Sequence, residues 1–463
     1  MPSLIDRIGA RTPDPLEVLI VRWSEEDINE TNQTPHKREK SGKAENPLKS
    51  SVLEVTFVKT DAAMPGRLFE ILLATAAILF FNWMQHFPPL VQSNFSFATT
   101  DVLVEYWRNG IGLGIHLMPY VQFRFAYPAI IGFLVYLTSG LARMFSSDPF
   151  VAVDYYVCFM DLILAAFTLG TVYYVYRICG VVRRETSRIW KAFLVSPTFL
   201  LYPLFNWDMI AVFFTVLAVW YMLQGRMRYA AVSLGFGIAT KIYPAMLLPV
   251  LMAEEKTWKA RLTALALAAL IFGTLNTPLL ILNSSLWWRS STFQVSSWGL
   301  EATWLMLFFN RFDKTAYVVG FAVMLYLVYK GLVETSRKKY PNVSDRIFQR
   351  SILMSLAWLL GSFIVPPQMA LMLLPFYVLV PQVPLVLIYL EGIFNILIIP
   401  LYQYTVISLH MDARTAASPA QWSAATRQAI WLLIFIHLIY RKQTTALANR
   451  LLKALSKSNL RLQ

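Results

Sequence analysis

Charged side chains are scarce in this sequence. Asp, Glu, Lys and Arg make up 15% of its 463 residues, whereas hydrophobic residues make up 57%; soluble chains carry roughly a quarter charged residues. The mean hydropathy is +0.50. Apolar runs long enough to cross a hydrocarbon core of about 30 Å recur from residue 68 to residue 440. The shortage of charge excludes a soluble globular protein and predicts an all-α polytopic membrane protein.

Cysteines are also scarce, and the first residues show no signal-peptide pattern. Cys158 and Cys179 are the two cysteines, and because both lie in or beside apolar segments we expect no disulfide. No apolar h-region follows Met1, so we expect no cleavable signal peptide. Residues 24–51 are polar, charged and without aromatics. They predict a largely disordered cytoplasmic segment over residues 1–67, with room for a short element at residues 16–23.

Acidic residues are too few to balance the basic ones, and the net charge is +14. About twelve crossings are predicted, at residues 68–87, 150–176, 192–205, 209–224, 230–241, 243–254, 262–282, 315–333, 351–365, 369–381, 384–408 and 429–440. With a cytoplasmic N-terminus, 31 Lys and Arg residues fall in inner segments and 8 in outer ones. This asymmetry follows the positive-inside rule, so membrane insertion among anionic lipids accounts for the charge and no nucleic-acid partner is predicted.

The topology also assigns the loops. Residues 127–145 are apolar enough to cross, but that crossing would place the basic residues 177–191 outside. We therefore predict an interfacial or re-entrant helix within a first outer loop at residues 88–149, where protein must cover its backbone. A fourth outer loop spans residues 283–314, and residues 441–463 form a basic amphipathic cytoplasmic tail after the membrane domain at 68–440.

Polar residues at the predicted outer face are the candidates for chemistry, because such residues are costly beside lipid and usually face a partner or a cavity. They are Asp101, Glu105, Tyr127, Asn206, Trp207, Asp208, Lys241, Tyr243, Arg289, Trp298, Glu301 and Gln368.

Several of these residues also have purely structural interpretations. Asp208 could cap the helix that follows it. Asp101 and Glu105, one helical turn apart, could pair with Arg108. Lys241 could extend its ammonium group to the lipid headgroups. Tryptophans gather at membrane interfaces whatever the function.

Three motifs follow one another in the order of a known family. They are DVLVEYWRNG followed by FAYPA, then NWDMIAVFFTVLAVWYMLQGRMRYAAVSLGFGIATKIYPAMLLPVLM, and finally PPQMALMLLPF. Together they resemble the GT-C membrane glycosyltransferases, specifically the polyprenyl-phosphate-mannose-dependent group that includes bacterial and archaeal alpha-mannosyltransferases. The chain departs from the pattern at Tyr229 and Ala231, where the family has leucine and glycine. It departs again at Ala129, where the family has the second proline of YPP.

The resemblance implies a GT-C fold and an inverting transfer of a sugar, by default mannose. The donor is a polyprenyl-phosphate sugar, the acceptor is a lipid or glycan, and the reaction takes place on the outer face of the cell membrane. Asp101 matches the general base, with Glu105 as the alternate. Positive charge or hydrogen-bond donors are required near the departing phosphate. Lys241 fits that role, as do Arg289 and Tyr243. The remaining candidates are expected to bind substrate: Tyr127, Asn206, Trp207, Asp208, Trp298, Glu301 and Gln368.

No cofactor is predicted. The DxD pattern is absent from the sequence, although Asp101, Glu105 and Asp208 are compatible with a divalent cation. The competing interpretation is a lipid-linked sugar flippase or another multispan transporter, since a broken hairpin and an intramembrane lysine also suit transporters. No internal repeat relates residues 68–260 to 262–440, which favours the transferase. A non-catalytic membrane subunit is the third interpretation.

Overall fold

The computed structural model describes residues 17–23, 53–59, 64–87, 100–108, 116–441 and 443–444. The chain divides into two units, Met1–Arg67 and Leu68–Gln463. In the first unit, β1 (Glu17–Trp23) and β2 (Leu53–Lys59) pair antiparallel. Both strands are rich in β-branched residues, which favour this conformation. Strand β1 coincides with the short element expected at residues 16–23, whereas β2 is not predicted. The remainder of residues 1–63 and the tail beyond residue 444 lie outside the described residues.

In the described residues of the second unit, the helices are joined by loops that contain two isolated β-bridges. Its helices are α1 (Met64–His86), α2 (Asp101–Arg108), α3 (Ala129–Phe145), α4 (Pro149–Val181), α5 (Asp208–Leu223), α6 (Met227–Thr240), α7 (Leu248–Glu254), α8 (Trp258–Leu282), α9 (Ser284–Ser291), α10 (Lys314–Arg337), α11 (Val343–Gly361), α12 (Leu374–Leu379), α13 (Leu385–Ile407) and α14 (Pro419–Ile439). Shorter helical turns lie at Ser187–Ile189, Trp190–Leu194, Pro197–Leu201, Tyr243–Leu247, Gln294–Trp298, Trp304–Leu307 and Pro367–Leu373.

Six of these helices are long and apolar enough to cross a membrane: α1, α4, α8, α10, α13 and α14. Shorter apolar helical segments occupy Ala129–Phe145, Asp208–Leu223, Tyr243–Glu254 and Pro367–Leu379. The prediction of an all-α polytopic membrane protein is therefore confirmed for the described part of the second unit.

Several predicted crossings have other bounds in the structure, and two of them differ most. Residues 192–205 do not form one helix, because the turns Trp190–Leu194 and Pro197–Leu201 are separate. Pro197 begins the second turn, where its missing N–H costs nothing, and Pro203 follows the end of that turn. Helix α14 begins at Pro419 rather than near residue 429, since the Ser418 side chain accepts a hydrogen bond from the Ala420 N–H and caps it.

Helices α5 and α6 form an antiparallel hairpin that belongs to the main buried core. Gly235 on α6 lets α8 approach closely, since a Cβ at this position would lie 2.9 Å from the Ala268 carbonyl oxygen. Small residues at such crossings are usual between membrane helices. The hairpin brings its two ends together, so that the first residue of α5, Asp208, lies near Lys241, which follows the last residue of α6.

Helices α10 and α11 approach each other at a pair of glycines. A Cβ at Gly361 would lie 2.6 Å from the Gly320 carbonyl oxygen, and a Cβ at Gly320 would lie 2.5 Å from the Gly361 oxygen. We expect Gly361→Ala to lower the free energy of unfolding by about 1–3 kcal/mol, because overpacking forces the backbones apart. Thermal unfolding in detergent measures it. Gly273→Ala on α8, where a Cβ meets nothing within 4 Å, is the control, and equal losses in both variants would contradict the prediction.

Candidate active site

The candidate site is built around Asp101, the first residue of α2. The preceding residue, Thr100, caps this helix, since its hydroxyl oxygen accepts a hydrogen bond from the Leu103 N–H at 3.1 Å. The backbone N–H of Asp101 donates to the Phe205 carbonyl oxygen at 3.1 Å. Because Thr100 performs the capping, the Asp101 carboxylate is available to interact with other segments.

One oxygen of that carboxylate, Oδ2, accepts three hydrogen bonds. The donors are Asn206 Nδ2 at 2.5 Å, Gln368 Nε2 at 3.0 Å and the Tyr127 hydroxyl at 3.4 Å. Each donor comes from a different part of the chain. The other oxygen, Oδ1, accepts no hydrogen bond from the residues that the structure describes. The described hydrogen bonds thus anchor the carboxylate through Oδ2.

Asn206 has a fixed orientation. Its Oδ1 accepts the Trp207 N–H at 2.5 Å, so its Nδ2 points to Asp101 and lies 3.3 Å from the Tyr127 hydroxyl. Trp207 is fully buried and donates its indole N–H to the Met160 sulfur at 3.1 Å. Its ring meets the Tyr127 ring edge to face at 4.8 Å. The NWD turn therefore packs Trp207 as a support and presents Asn206 as a donor.

Tyr127 is placed by the turn that precedes α3. The buried Tyr120 donates its hydroxyl proton to the Tyr127 carbonyl oxygen at 2.5 Å. Tyr120 has a positive φ of 66°, a strained value for a residue with a side chain. A side chain at Gly132 would collide with the Tyr120 ring. The Phe125 N–H donates to the Ser290 hydroxyl on α9 at 3.0 Å. These contacts fix the Tyr127 backbone.

Lys241 pairs with Asp208. Their Nζ and Oδ2 atoms lie 3.4 Å apart, and the carboxylate is fully buried. Neither Asp208 oxygen accepts a hydrogen bond within the described part of the chain, so Asp208 does not cap α5. The Lys241 side chain is 14% exposed, and its ammonium nitrogen lies 4.6 Å from the centre of the Tyr127 ring. It faces the protein rather than the lipid headgroups.

Tyr243 contributes through the backbone, because its buried hydroxyl donates to the Asp208 carbonyl oxygen at 3.1 Å. This bond ties the break after α6 to the start of α5. Tyr243 therefore links the segment that carries Lys241 to the backbone of Asp208.

Burial dominates the electrostatics of the site. It raises the pKa of Asp101 from its ordinary value of 3.8 to about 6, against the opposing effect of Lys241 and the Asn206 hydrogen bond. Glu105, buried one turn further along α2, and Asp208 also raise the pKa of Asp101. Burial raises the pKa of Tyr127 well above its ordinary value. At neutral pH Asp101 is therefore ionised and Tyr127 keeps its proton.

Trp298 and Glu301 belong to a second cluster. The indole N–H of Trp298 donates to Glu301, and Arg414 lies 3.5 Å from Glu301 and 4.3 Å above the Trp298 ring. The described contacts do not bring these residues against Asp101. The link is the backbone, since the Val365 N–H donates to the Glu301 carbonyl oxygen at 3.0 Å, three residues before Gln368.

Two arginines that the sequence suggested do not contact the site through the described residues. Arg289 is exposed on α9 and makes no ion pair with any described residue, so the structure does not bring it to Lys241. The side chain of Arg108 lies outside the described residues, as does any pairing with it. Among the described residues, no group of three or more His, Cys, Asp or Glu is placed to hold a metal ion; independence from metal stays a prediction.

Three buried polar residues beyond residue 380 are not among the predicted site residues: Glu391, Asn395 and Arg427. Arg427 on α14 is fully buried, although it was assigned to an outer segment, and its NH1 donates to Asn395 Oδ1 at 2.6 Å. Glu391, one turn before Asn395 on α13, accepts a hydrogen bond from the Trp431 indole at 3.1 Å. A polar residue in an apolar run is the signal that singles out Lys241, and this signal applies equally to Glu391 and Asn395.

The Lys241–Asp208 pair can be tested by a double-mutant cycle. Removing one partner of a buried pair leaves an uncompensated charge, so we expect Asp208→Asn and Lys241→Met each to lower the free energy of unfolding by about 3 kcal/mol. The double variant should lose much less than the two losses combined. Unfolding in detergent provides the values.

The more exposed pair Lys330–Glu334 on α10 is the control, and its coupling should be far smaller. Additive effects at Lys241 and Asp208 would show that the pair does not hold the hairpin together.

No protein-family model and no curated protein matches the chain. Among solved structures, the chain is similar to ArnT from Cupriavidus metallidurans, whose crystal structure contains bound undecaprenyl phosphate. The two sequences are 12% identical, the similarity covers 81% of this chain and 77% of that chain, and the TM-score is 0.42.

Proposed function

We propose that the protein is a GT-C glycosyltransferase that moves a sugar from a polyprenyl-phosphate donor to a lipid or glycan acceptor. The observation that carries the proposal is the pairing of a base with a cation across Tyr127. The Tyr127 hydroxyl donates to Asp101, and its ring lies against the Lys241 ammonium group. The order of the NWD, KIYP and PPQM motifs supports the same family.

Asp101 is the proposed general base. Its pKa of about 6 leaves the carboxylate ionised at neutral pH while keeping it more basic than an ordinary aspartate. Oδ1 takes the proton of the acceptor hydroxyl as the hydroxyl oxygen attacks the anomeric carbon. The bond from that carbon to the phosphate oxygen breaks, and the configuration inverts. Glu105 remains the alternate base.

Lys241 is the proposed partner of the departing phosphate. A polyprenyl phosphate leaves as a stable anion, so the site needs positive charge rather than a protonating acid. Asp208 orients the ammonium group when no phosphate is bound. Arg289 and Tyr243 are proposed as weaker contributors to phosphate binding. The transferred sugar is proposed to be mannose, on the motif resemblance alone.

The other predicted residues divide into two sets. Asn206 and Gln368 hold the base, and Trp207 supports Tyr127. Trp298 and Glu301 are proposed to bind sugar hydroxyls and ring faces, which an aromatic surface beside a carboxylate suits. The charge asymmetry along the chain supports an outward-facing site with both termini cytoplasmic.

A transporter of a lipid-linked sugar is the second candidate. The buried Lys241–Asp208 pair favours it, because intramembrane ion pairs often mark substrate or ion pathways. The two candidates differ in their product. A transferase consumes its donor and forms a new glycosidic bond, whereas a transporter returns the donor unchanged.

The role of Asp101 is tested by donor turnover. Purified protein is incubated with radiolabelled polyprenyl-phosphate sugars and a lipid extract, and the consumption of donor is measured. We expect Asp101→Asn to lower the rate by about 10²- to 10⁴-fold while donor binding is retained. Asp148→Asn is the matched control, since Asp148 caps α4 on the surface and asparagine caps equally well. A rate near wild type in Asp101→Asn would assign the base elsewhere, with Glu105→Gln the next variant.

The pH dependence gives an independent check. A base works only when ionised, so the rate should rise with pH, reach half its maximum at about pH 6 and level off above that. The positive charge of Lys241 lowers the pKa of Asp101, so Lys241→Ala should move the midpoint to higher pH. Rates measured across this range at saturating acceptor provide the profile. A flat profile in the wild-type protein would exclude Asp101 as the base.

A further inference from the structure

Arg427 is the most completely buried cation in the described part of the chain, and it lies in the membrane-crossing helix α14. Its NH2 group donates to two carbonyl oxygens, that of Val365 at 2.7 Å and that of Ala302 at 3.0 Å. Its NH1 group donates to Asn395 on α13 at 2.6 Å. A guanidinium group is costly to bury. Its presence here indicates that the surrounding groups need its fixed planar arrangement of N–H donors.

Asn395 continues the network. Its Nδ2 donates to the Pro367 carbonyl oxygen at 2.9 Å and to the Thr198 hydroxyl at 3.1 Å. Arg427 and Asn395 together hold two carbonyl groups within residues 365–367. The next residue, Gln368, donates to Asp101 Oδ2. The segment that Arg427 holds is therefore the segment that delivers a donor to the carboxylate.

The Ala302 carbonyl connects the network to the second cluster. Ala302 has a positive φ of 50°, a conformation that a non-glycine residue adopts only when its surroundings fix it. Its N–H donates to the Gln421 side chain at 3.0 Å, while its carbonyl accepts from Arg427. Its neighbour Glu301 pairs with residues 363–365 through the backbone. One guanidinium group thus bonds to the segment that carries Glu301 and to the segment that carries Gln368.

We propose that Arg427 is a positioning residue of the candidate active site, which sets Gln368 against Asp101 by holding the carbonyl groups of residues 365–367. The inference rests on the proposed role of Asp101 as the base. Lysine cannot replace Arg427, because a single ammonium group cannot reach Asn395 and both carbonyl oxygens in one plane.

A hydrogen bond to a carboxylate favours its ionised form, so displacement of Gln368 should make Asp101 harder to ionise. The other groups that face Asp101 are not bonded to Arg427, so their effects should stay unchanged. Within the described residues these are Lys241, Glu105, Asp208, Tyr127 and Asn206. On its own side Arg427 faces the Glu391 carboxyl and the Tyr202 hydroxyl electrostatically, and it lies 4.6 Å from the Trp431 ring. Arg427→Lys keeps the positive charge opposite Glu391.

The test is a titration of Asp101 by infrared difference spectroscopy on the purified full-length protein. The carbonyl stretch of the protonated carboxyl group is assigned by its loss in Asp101→Asn. We expect Arg427→Lys to move the titration midpoint up by about one pH unit. Gln368→Leu should produce the same shift, and the double variant should shift no further.

Gln428→Met is the matched control. Gln428 is the next residue of the same helix, is equally buried and also bonds two backbone groups, but these belong to Trp304 and Leu359. We expect it to lower stability without moving the Asp101 midpoint. If Arg427→Lys fails to fold, Asn395→Ser removes the amide group that bonds Pro367, Thr198 and Arg427, and it should shift the midpoint in the same direction.

The outcomes separate the two proposals. An unchanged midpoint in Arg427→Lys or, where that variant does not fold, in Asn395→Ser overturns the positioning role even if the protein transfers sugar. A shift equal to that of Gln428→Met overturns it as well, because general loosening would then be the cause. A shift specific to Arg427 and Gln368 supports it, even where Asp101→Asn transfers sugar normally and the proposed base is wrong.

Discussion

One carboxylate oxygen organises the candidate active site. Asp101 Oδ2 receives donors from the NWD turn, from the turn before α3 and from the segment after α11. Asn206 and Gln368 each lie more than a hundred residues from Asp101 along the chain. The site therefore exists only when the helix bundle is assembled. Three donors on one oxygen would lower the pKa of an exposed aspartate. Here burial outweighs them, which leaves a carboxylate that is rigid yet still basic.

The low dielectric of the interior makes the buried ion pairs of the second unit depend on both partners. Lys241 pairs with Asp208, and at another part of the chain Glu254 receives Arg346 and Arg350, each at 2.6 Å. The two arrangements differ in whether the carboxylate oxygens accept hydrogen bonds. Both Glu254 oxygens accept hydrogen bonds from arginine, whereas the Asp208 oxygens accept none within the described residues. The two short, hydrogen-bonded ion pairs at Glu254 suit a purely structural role. The looser pair at Lys241 is compatible with the proposed contact between its ammonium group and a departing phosphate.

The residues around Asp101 are conspicuous in the sequence because polar residues stand out in apolar runs, as Lys241 and Gln368 do. It could not give their contacts, since these depend on how distant helices pack. Arg289 looked equivalent to Lys241 by type, yet its position on the outer side of α9 leaves it exposed. Arg427 was misplaced for a local reason: the Ser418-Pro419 start signal of α14 was not recognised, so ten helical residues were assigned to a loop.

The absence of a recognisable motif after residue 380 does not argue against a role for α13 and α14. Arg427 and Asn395 act on backbone carbonyl groups, and every residue carries a carbonyl group whatever its side chain. Such contacts constrain the position of a donor in space but place no demand on the sequence of the segment held. A sequence pattern is therefore expected around Gln368, which donates to Asp101, the proposed base. The helices that hold this segment need only supply buried donors, and many sequences can do so.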